Sequence, residues 1–359
     1  MPQVALAHAQ LLQSDPAPNS VLQSAPTGVS LVFSEQVTPA GAGIRVYAPS
    51  GRQVATSALS RGSVLLAPVN STETGTYVVT WQVFAADTHP SRGTFAFSVG
   101  RVSANPYASL LASPEIGTST PAGLALQALA RWVHFVGFAL VFGVVAYGVL
   151  TRQRDRFNRI IGTGVILLIA AEPTALLGQL ASLTFDGDTA LAVLGSSFGR
   201  VIGLRLGAAL LVWALMAAGR SWPILTIGGV IAFLDGFSAH AIPGLPGAGQ
   251  LLVAIHVSAV GLWVGGIAAF LSAPDRRFGC YAALTLAIAI GTGLHLAFAH
   301  THFGAVLLST EYGVVVLIKA LIVAAAILAA ALRRHRTELV VSIIVIAAAA
   351  LVAALPPPF

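Results

Sequence analysis

Sulfur and charge are both scarce in this chain. A single cysteine, Cys280, in 359 residues excludes an internal disulfide framework and any cysteine-rich metal cluster. Of two methionines one is Met1, so no methionine ladder runs through the molecule. Charged residues make up 9% against 56% hydrophobic, a balance a soluble chain of this length could not carry without exposing apolar surface. No phosphate-cradling P-loop and no phosphorylation motif is present, which excludes work driven by nucleotide hydrolysis.

What is present divides the chain in two. Residues 8–100 are polar, turn-rich and alternating, whereas everything after the Pro/Ser/Thr-rich stretch ASPEIGTSTPAG is dominated by Ala, Leu, Val, Ile and Gly. Residues 101–121 read as a linker and 122–359 as a membrane domain. Crossing a bilayer takes about 20 apolar residues in a helix, because lipid offers no partner to an unpaired backbone group. Eight spans are expected, near 122–150, 160–182, 198–219, 222–241, 249–272, 278–298, 313–332 and 338–355.

Arginines fall on alternate connections: Arg152, Arg154, Arg156 and Arg159, then Arg220, then Arg276 and Arg277, then Arg333, Arg334 and Arg336. The connections TFDGDTALAVLGSS, AIPGLPGAG and THFGAVLLSTEYG carry no Lys or Arg. By the positive-inside rule the arginine loops are cytoplasmic, so the N-terminal domain and the C-terminus lie outside a multi-pass cytoplasmic membrane protein. The net charge of +6 is therefore a signal of topology and not a nucleic-acid footprint.

Ala5-Leu6-Ala7 before His8 has the small-residue spacing of a signal-peptidase site. Seven residues cannot hold a charged region and an apolar region as well, so residues 1–7 read as a signal-peptide remnant. Cleavage there would give His8 a free α-amine.

Within residues 8–100, segments such as SVLQSAPTGVSLVFSEQV and GTYVVTWQVFAAD alternate apolar and polar positions between Gly, Pro, Ser and Asn. They predict an all-β domain, an antiparallel sandwich of about seven short strands with cupredoxin- or immunoglobulin-like Greek-key connections. In AADTHPSRG, Asp87 and His89 stand two apart and would share one face of an extended segment. Together with the amine and ring of His8 they make a nitrogen-rich tetragonal set of the kind Cu(II) favours.

These residues carry a resemblance. The segments HAQLLQSDPAPNS, LVFSEQV and GTYVVTWQVFAADTHPSRGTFAFSVG resemble the CopC copper-binding domain over nearly its whole length. The resemblance implies Cu(II) held by His8, Asp87 and His89. Thr88 stands where that family usually has Gly, and no Met lies between residues 8 and 100, so only the Cu(II) site is implied.

Ionisable side chains inside spans are costly and mark function by default. They are His134, Glu172, Arg205, Asp235, His240, His256, His295 and Lys319. RWVHF, SSFGRVIGLRLG, SAHA, IHVSAVGLWVGGI and STEYGVVVLIKA, in that order, resemble the CopD copper-resistance membrane domain, an all-α polytopic bundle. That implies a carrier of copper, most often inward, and not an enzyme.

His134, His240 and His256 are expected at the outer mouth of the bundle as copper ligands, each weighed against an interhelical hydrogen bond. His295, His300 and His302 are expected as an auxiliary collecting site. Glu172 and Asp235 are expected to neutralise Arg205 or Lys319, or to handle a proton or the ion. Gly265 and Gly266 beside Trp263 read as helix packing through small residues. Partners are the copper ion, the bilayer and an extracytoplasmic copper donor. Two competing readings are a membrane redox protein, with or without haem, and a copper buffer or sensor that moves no metal.

Overall fold

A computed structural model describes residues 9–55, 57–85, 90–112, 120–183, 185–239, 242, 247–355 and 357–358. His8, Asp87, His89 and His240 lie outside the described residues. The strands are β1 (Leu11–Asp15), β2 (Val21–Leu22), β3 (Gly28–Phe33), β4 (Val37–Tyr47), β5 (Gln53–Ala55), β6 (Leu59–Arg61), β7 (Val64–Pro68), β8 (Gly75–Ala85) and β9 (Pro90–Val99). The main helices are α1 (Pro121–Thr151), α2 (Asn158–Ser182), α3 (Gly187–Gly195), α4 (Ser197–Ala217), α5 (Ser221–Phe237), α6 (Ala248–Ser272), α7 (Phe278–Thr301), α8 (Glu311–Ala331) and α9 (His335–Ala354). They form two compact units, residues 8–123 with 179–200, and residues 124–178 with 201–359.

The first unit is a sandwich of a four-stranded sheet, β1-β3-β7-β6, and a five-stranded sheet, β2-β9-β8-β4-β5. All pairings are antiparallel except β2 with β9. Alternation drives the layering: in β3, Val29, Leu31 and Phe33 point into the core while their neighbours do not. Phe33 meets Trp81 edge-on and Tyr77 stacks on Phe97, each pair 5.1 Å between ring centroids. Among the described residues nine strands stand where about seven were expected, because β2, β5 and β6 span only two or three residues and are too short to show a period. Gly93 has a specific reason: a Cβ there would meet the indole of Trp81 at 2.6 Å.

Two pieces beyond the sandwich sequence complete this unit. The stretch expected as linker begins by folding back on the sheet, where Asn105 donates to the carbonyls of Tyr47, Ala48 and Thr76 at 3.3, 3.0 and 2.8 Å. Tyr107 stacks on Tyr47 with centroids 4.0 Å apart. The connection TFDGDTALAVLGSS is not a plain loop, since it contains α3, capped by Asp186, whose carboxylate accepts from the Thr189 N–H at 2.8 Å. Helix α3 packs on β4. Gln82 donates to the Thr189 hydroxyl at 3.3 Å, Arg45 pairs with Asp186 at 3.5 Å, and Gly41 lies close against Thr189.

In the second unit, among the described residues, seven helices are long and apolar enough to cross a membrane, namely α1, α2, α4, α6, α7, α8 and α9. Helix α5 is shorter, at 17 residues, or about 26 Å, which is near the lower limit for a span. Together they cover the eight expected segments. Their outward surface is apolar, as Ile166, Leu204, Trp213, Trp222, Leu284 and Leu321 show. The centre is close-packed around Phe138, Phe142, Tyr147, Trp263 and Ile267. Helix α1 contains a π turn at Ala139–Gly143, and there Gly143 lies against the backbone of Gly261 and Gly265 on α6. Small residues let these two backbones meet, as GLWVGGI suggests.

Candidate functional site

The apolar bundle buries four ionisable side chains in one connected group. His134 comes from α1, Glu172 from α2, Arg205 from α4 and Asp235 from α5. His134, Glu172 and Asp235 are 4%, 2% and 5% exposed. Nδ1 of His134 lies 3.3 Å from Oε1 of Glu172, and Nε2 lies 3.2 Å from the carboxylate of Asp235. Arg205 pairs with Asp235 at 2.5 Å and donates to the Ser238 hydroxyl at 2.8 Å, which in turn donates to the Asp235 carbonyl.

Each member is a charge its own helix cannot satisfy, and stranding one in an apolar interior costs several kcal/mol. Four helices are thereby fixed in register. Pro173 sits inside α2 directly after Glu172, where it has no N–H for the preceding turn. Glu172 Oε2 and Arg205 Nε are buried without a hydrogen-bond partner. The group is thus tied together but not saturated.

Asp235 with Arg205 is one of the pairings the sequence left open. The bridge from Glu172 to Asp235 through one imidazole is what sequence reasoning missed, although every member stands out as an ionisable residue within an apolar run. Only tertiary packing says which helices are neighbours. The bridge also changes what His134 offers. In this geometry both ring nitrogens of His134 face carboxylates, and neither of the other two expected ligands, His240 and His256, is described beside it.

His256 of α6 bonds through Nδ1 to the Thr292 hydroxyl of α7 at 2.9 Å. Gly293 leaves room for its ring, since a Cβ would stand 2.9 Å from Cε1. This is the interhelical hydrogen bond weighed against metal ligation above. The three histidines near the end of α7 do not converge. His300 is buried with its ring edge-on to Tyr312, His295 is exposed, and His302 ends the helix in a left-handed conformation. Residues five apart on a helix point about 140° away from one another, which parts His295 from His300. Among the described residues no group of three or more His, Cys, Asp or Glu side chains is placed to hold a metal ion. Cys280 is exposed and unpaired.

Of the expected head ligands, Asp87 and His89 belong to the chain between β8 and β9, antiparallel neighbours in which Phe84 stands opposite Pro90. The described sandwich therefore delimits the Asp87 and His89 segment on both sides without describing the ligands themselves.

Comparison with known proteins follows the same division. Residues 11–100 match the CopC domain, and residues 121–248 match the copper resistance protein D-like N-terminal domain. The chain is similar to the copper transport protein CutJ of Bacillus subtilis (strain 168), 26% identical over 367 residues that cover 89% of this chain and 66% of that protein, just under two thirds of its length. It is similar to protein YobA of Escherichia coli (strain K12), 34% identical over 98 residues, covering 26% of this chain and 79% of YobA. Copper resistance protein C of Xanthomonas campestris pv. juglandis is 32% identical over 105 residues, covering 26% of this chain and 82% of that one. Among solved structures, CopC from Methylosinus trichosporium OB3b aligns at 26% identity over 28% of this chain and 100% of that one, with a TM-score of 0.25.

Proposed function

The chain belongs to the CopC/CopD copper-resistance family, a CopC domain followed in the same chain by a D-like membrane domain, and from that premise we propose that it captures copper outside the cytoplasmic membrane and carries it inward. The observation that carries this reading is the buried group of His134, Glu172, Asp235 and Arg205. Ionisable side chains within spans are costly and mark function by default, and a path for a cation needs polar groups inside the bundle.

In this reading His8, Asp87 and His89 hold Cu(II) in the head, and the bundle is a carrier and not an enzyme. The arginine-bearing connections face the cytoplasm, so the sandwich meets copper first. With no nucleotide site, the driving force is the membrane potential or an ion gradient.

The test is copper accumulation in cells carrying the wild type or an Asp87→Ala/His89→Ala variant at equal membrane abundance. Under limiting copper the variant is expected to accumulate less, and purified full-length wild type is expected to show a nitrogen-coordinated Cu(II) paramagnetic signal that the variant lacks. A difference in the signal with equal accumulation would show that accumulation does not depend on capture by the head. Equal signals would overturn the head assignment.

A further inference from the structure

Hydrogen-bond chemistry sets how many protons the buried group must hold. An ionised carboxylate only accepts, and a neutral imidazole has one N–H and one lone pair. His134 nevertheless faces a carboxylate with each ring nitrogen, at 3.3 Å to Glu172 and 3.2 Å to Asp235. One hydrogen beyond the neutral ring is therefore required, either on the second ring nitrogen or on a carboxyl oxygen. Charge counting agrees: two carboxylates against one guanidinium leave a single negative charge, which one proton closes.

The geometry also says where that proton can reside. Asp235 has the guanidinium of Arg205 as its counter-charge at 2.5 Å. Glu172 has no such cation. Its Oε1 faces His134 while its Oε2 is buried with no hydrogen-bond partner, an acceptor left open in an apolar surrounding. The two places for the proton are the His134 ring and the Glu172 carboxyl. The other charged or titratable groups on these helices and their neighbours include Arg131 on α1, Arg205 on α4, Asp235 on α5, His256 on α6, which bonds Thr292, Lys319 on α8, whose charge acts on His256, and His335 with Glu338 on α9, bonded to each other at 2.8 Å.

We propose that Glu172 and His134 form a site for one exchangeable proton, which the bundle gives up and regains as copper passes. The second half of this statement rests on the transport reading above. The proton only changes place between an imidazole nitrogen and a carboxyl oxygen before leaving, so no oxidant or further reactant is needed.

Full-length protein in lipid bilayers, examined by pH-difference infrared spectroscopy, reads the site directly. A protonated-carboxyl band is expected in the wild type, lost in Glu172→Gln, and shifted but present in Glu172→Asp, which keeps the acid should the glutamine variant fold poorly. Identical bands in wild type and a folded Glu172→Gln protein, or neither a protonated-carboxyl nor an imidazolium band in either, would overturn the site. Copper uptake into proteoliposomes then reads the exchange. For one proton per ion, a gradient of about one pH unit changes accumulation about tenfold in the wild type and not at all in Glu172→Gln. Uptake by the wild type that ignores the gradient would overturn the exchange while the band still stands. A wild type that moves no copper under any gradient would overturn both the exchange and the transport reading, and leave the proton site.

Discussion

The two units use the same kind of ion pair to opposite effect. In the sandwich, Arg52 pairs with Glu73 at 3.4 Å with the two side chains 63% and 28% exposed. In the bundle, Arg205 pairs with Asp235 at 2.5 Å with the side chains 16% and 3% exposed. Water screens the first pair and would solvate either partner alone, so it adds little. Nothing solvates the second, so each partner obliges the other to exist. The chemistry of an arginine and a carboxylate is constant, and the solvent decides whether it decorates a fold or dictates one.

That contrast can be broken most directly at Asp235. Asp235→Asn leaves Arg205 buried without its anion and should cost about 3–5 kcal/mol, read as a lowered unfolding midpoint of the detergent-solubilised protein. A cost no larger than that of a surface substitution would end the comparison. Phe97→Ala in the sandwich core removes the ring stacked on Tyr77 and is expected to cost about 3–5 kcal/mol in the unfolding of that unit, a loss from packing and not from charge. Thr189→Ala takes away the hydroxyl that meets Gln82 across the α3 seam and should cost about 1 kcal/mol, seen as faster amide exchange along β4 and α3.

The smallest effect belongs to Glu73. Its pKa lies below the ordinary value of 4.5, chiefly because the Ser50 backbone N–H and hydroxyl donate to it, with Arg52 adding to this. A depressed carboxyl pKa means stability present above the unfolded-state value and lost as pH falls through the folded one. Glu73→Gln is therefore expected to change stability by under about 1 kcal/mol near neutral pH and to flatten the acid side of the profile below about pH 4.5. A large loss at neutral pH would show that exposed pairs matter here as much as buried ones.

Much of the fold is legible in the residues because its causes are local. Alternation in GVSLVF and TFAFSV marks strands, and apolar runs separated by arginine-bearing turns mark helices. Gly265 and Gly266 mark close packing. What escapes is non-local. Nothing near Thr189 says that its helix rests on β4, and nothing near His134 says that Glu172 and Asp235 flank it. The ionisable residues of the bundle could be picked out one by one, since charge in an apolar run is rare. Their pairing depends on which helices are neighbours, which no single helix records. The reading of His295, His300 and His302 as a cluster took closeness in sequence for closeness in space, and the helix turns them apart.

The seam between Gln82 and Thr189 joins positions 107 residues apart, with α1 and α2 between them in the chain. A ribosome emits the strands first, yet the helix that covers β4 follows only after two long apolar segments have been made. The head therefore cannot finish assembling before the membrane insertion machinery has handled both. A gene fragment ending at the close of β9 would encode a sheet whose β4 flank lacks the helix that packs on it.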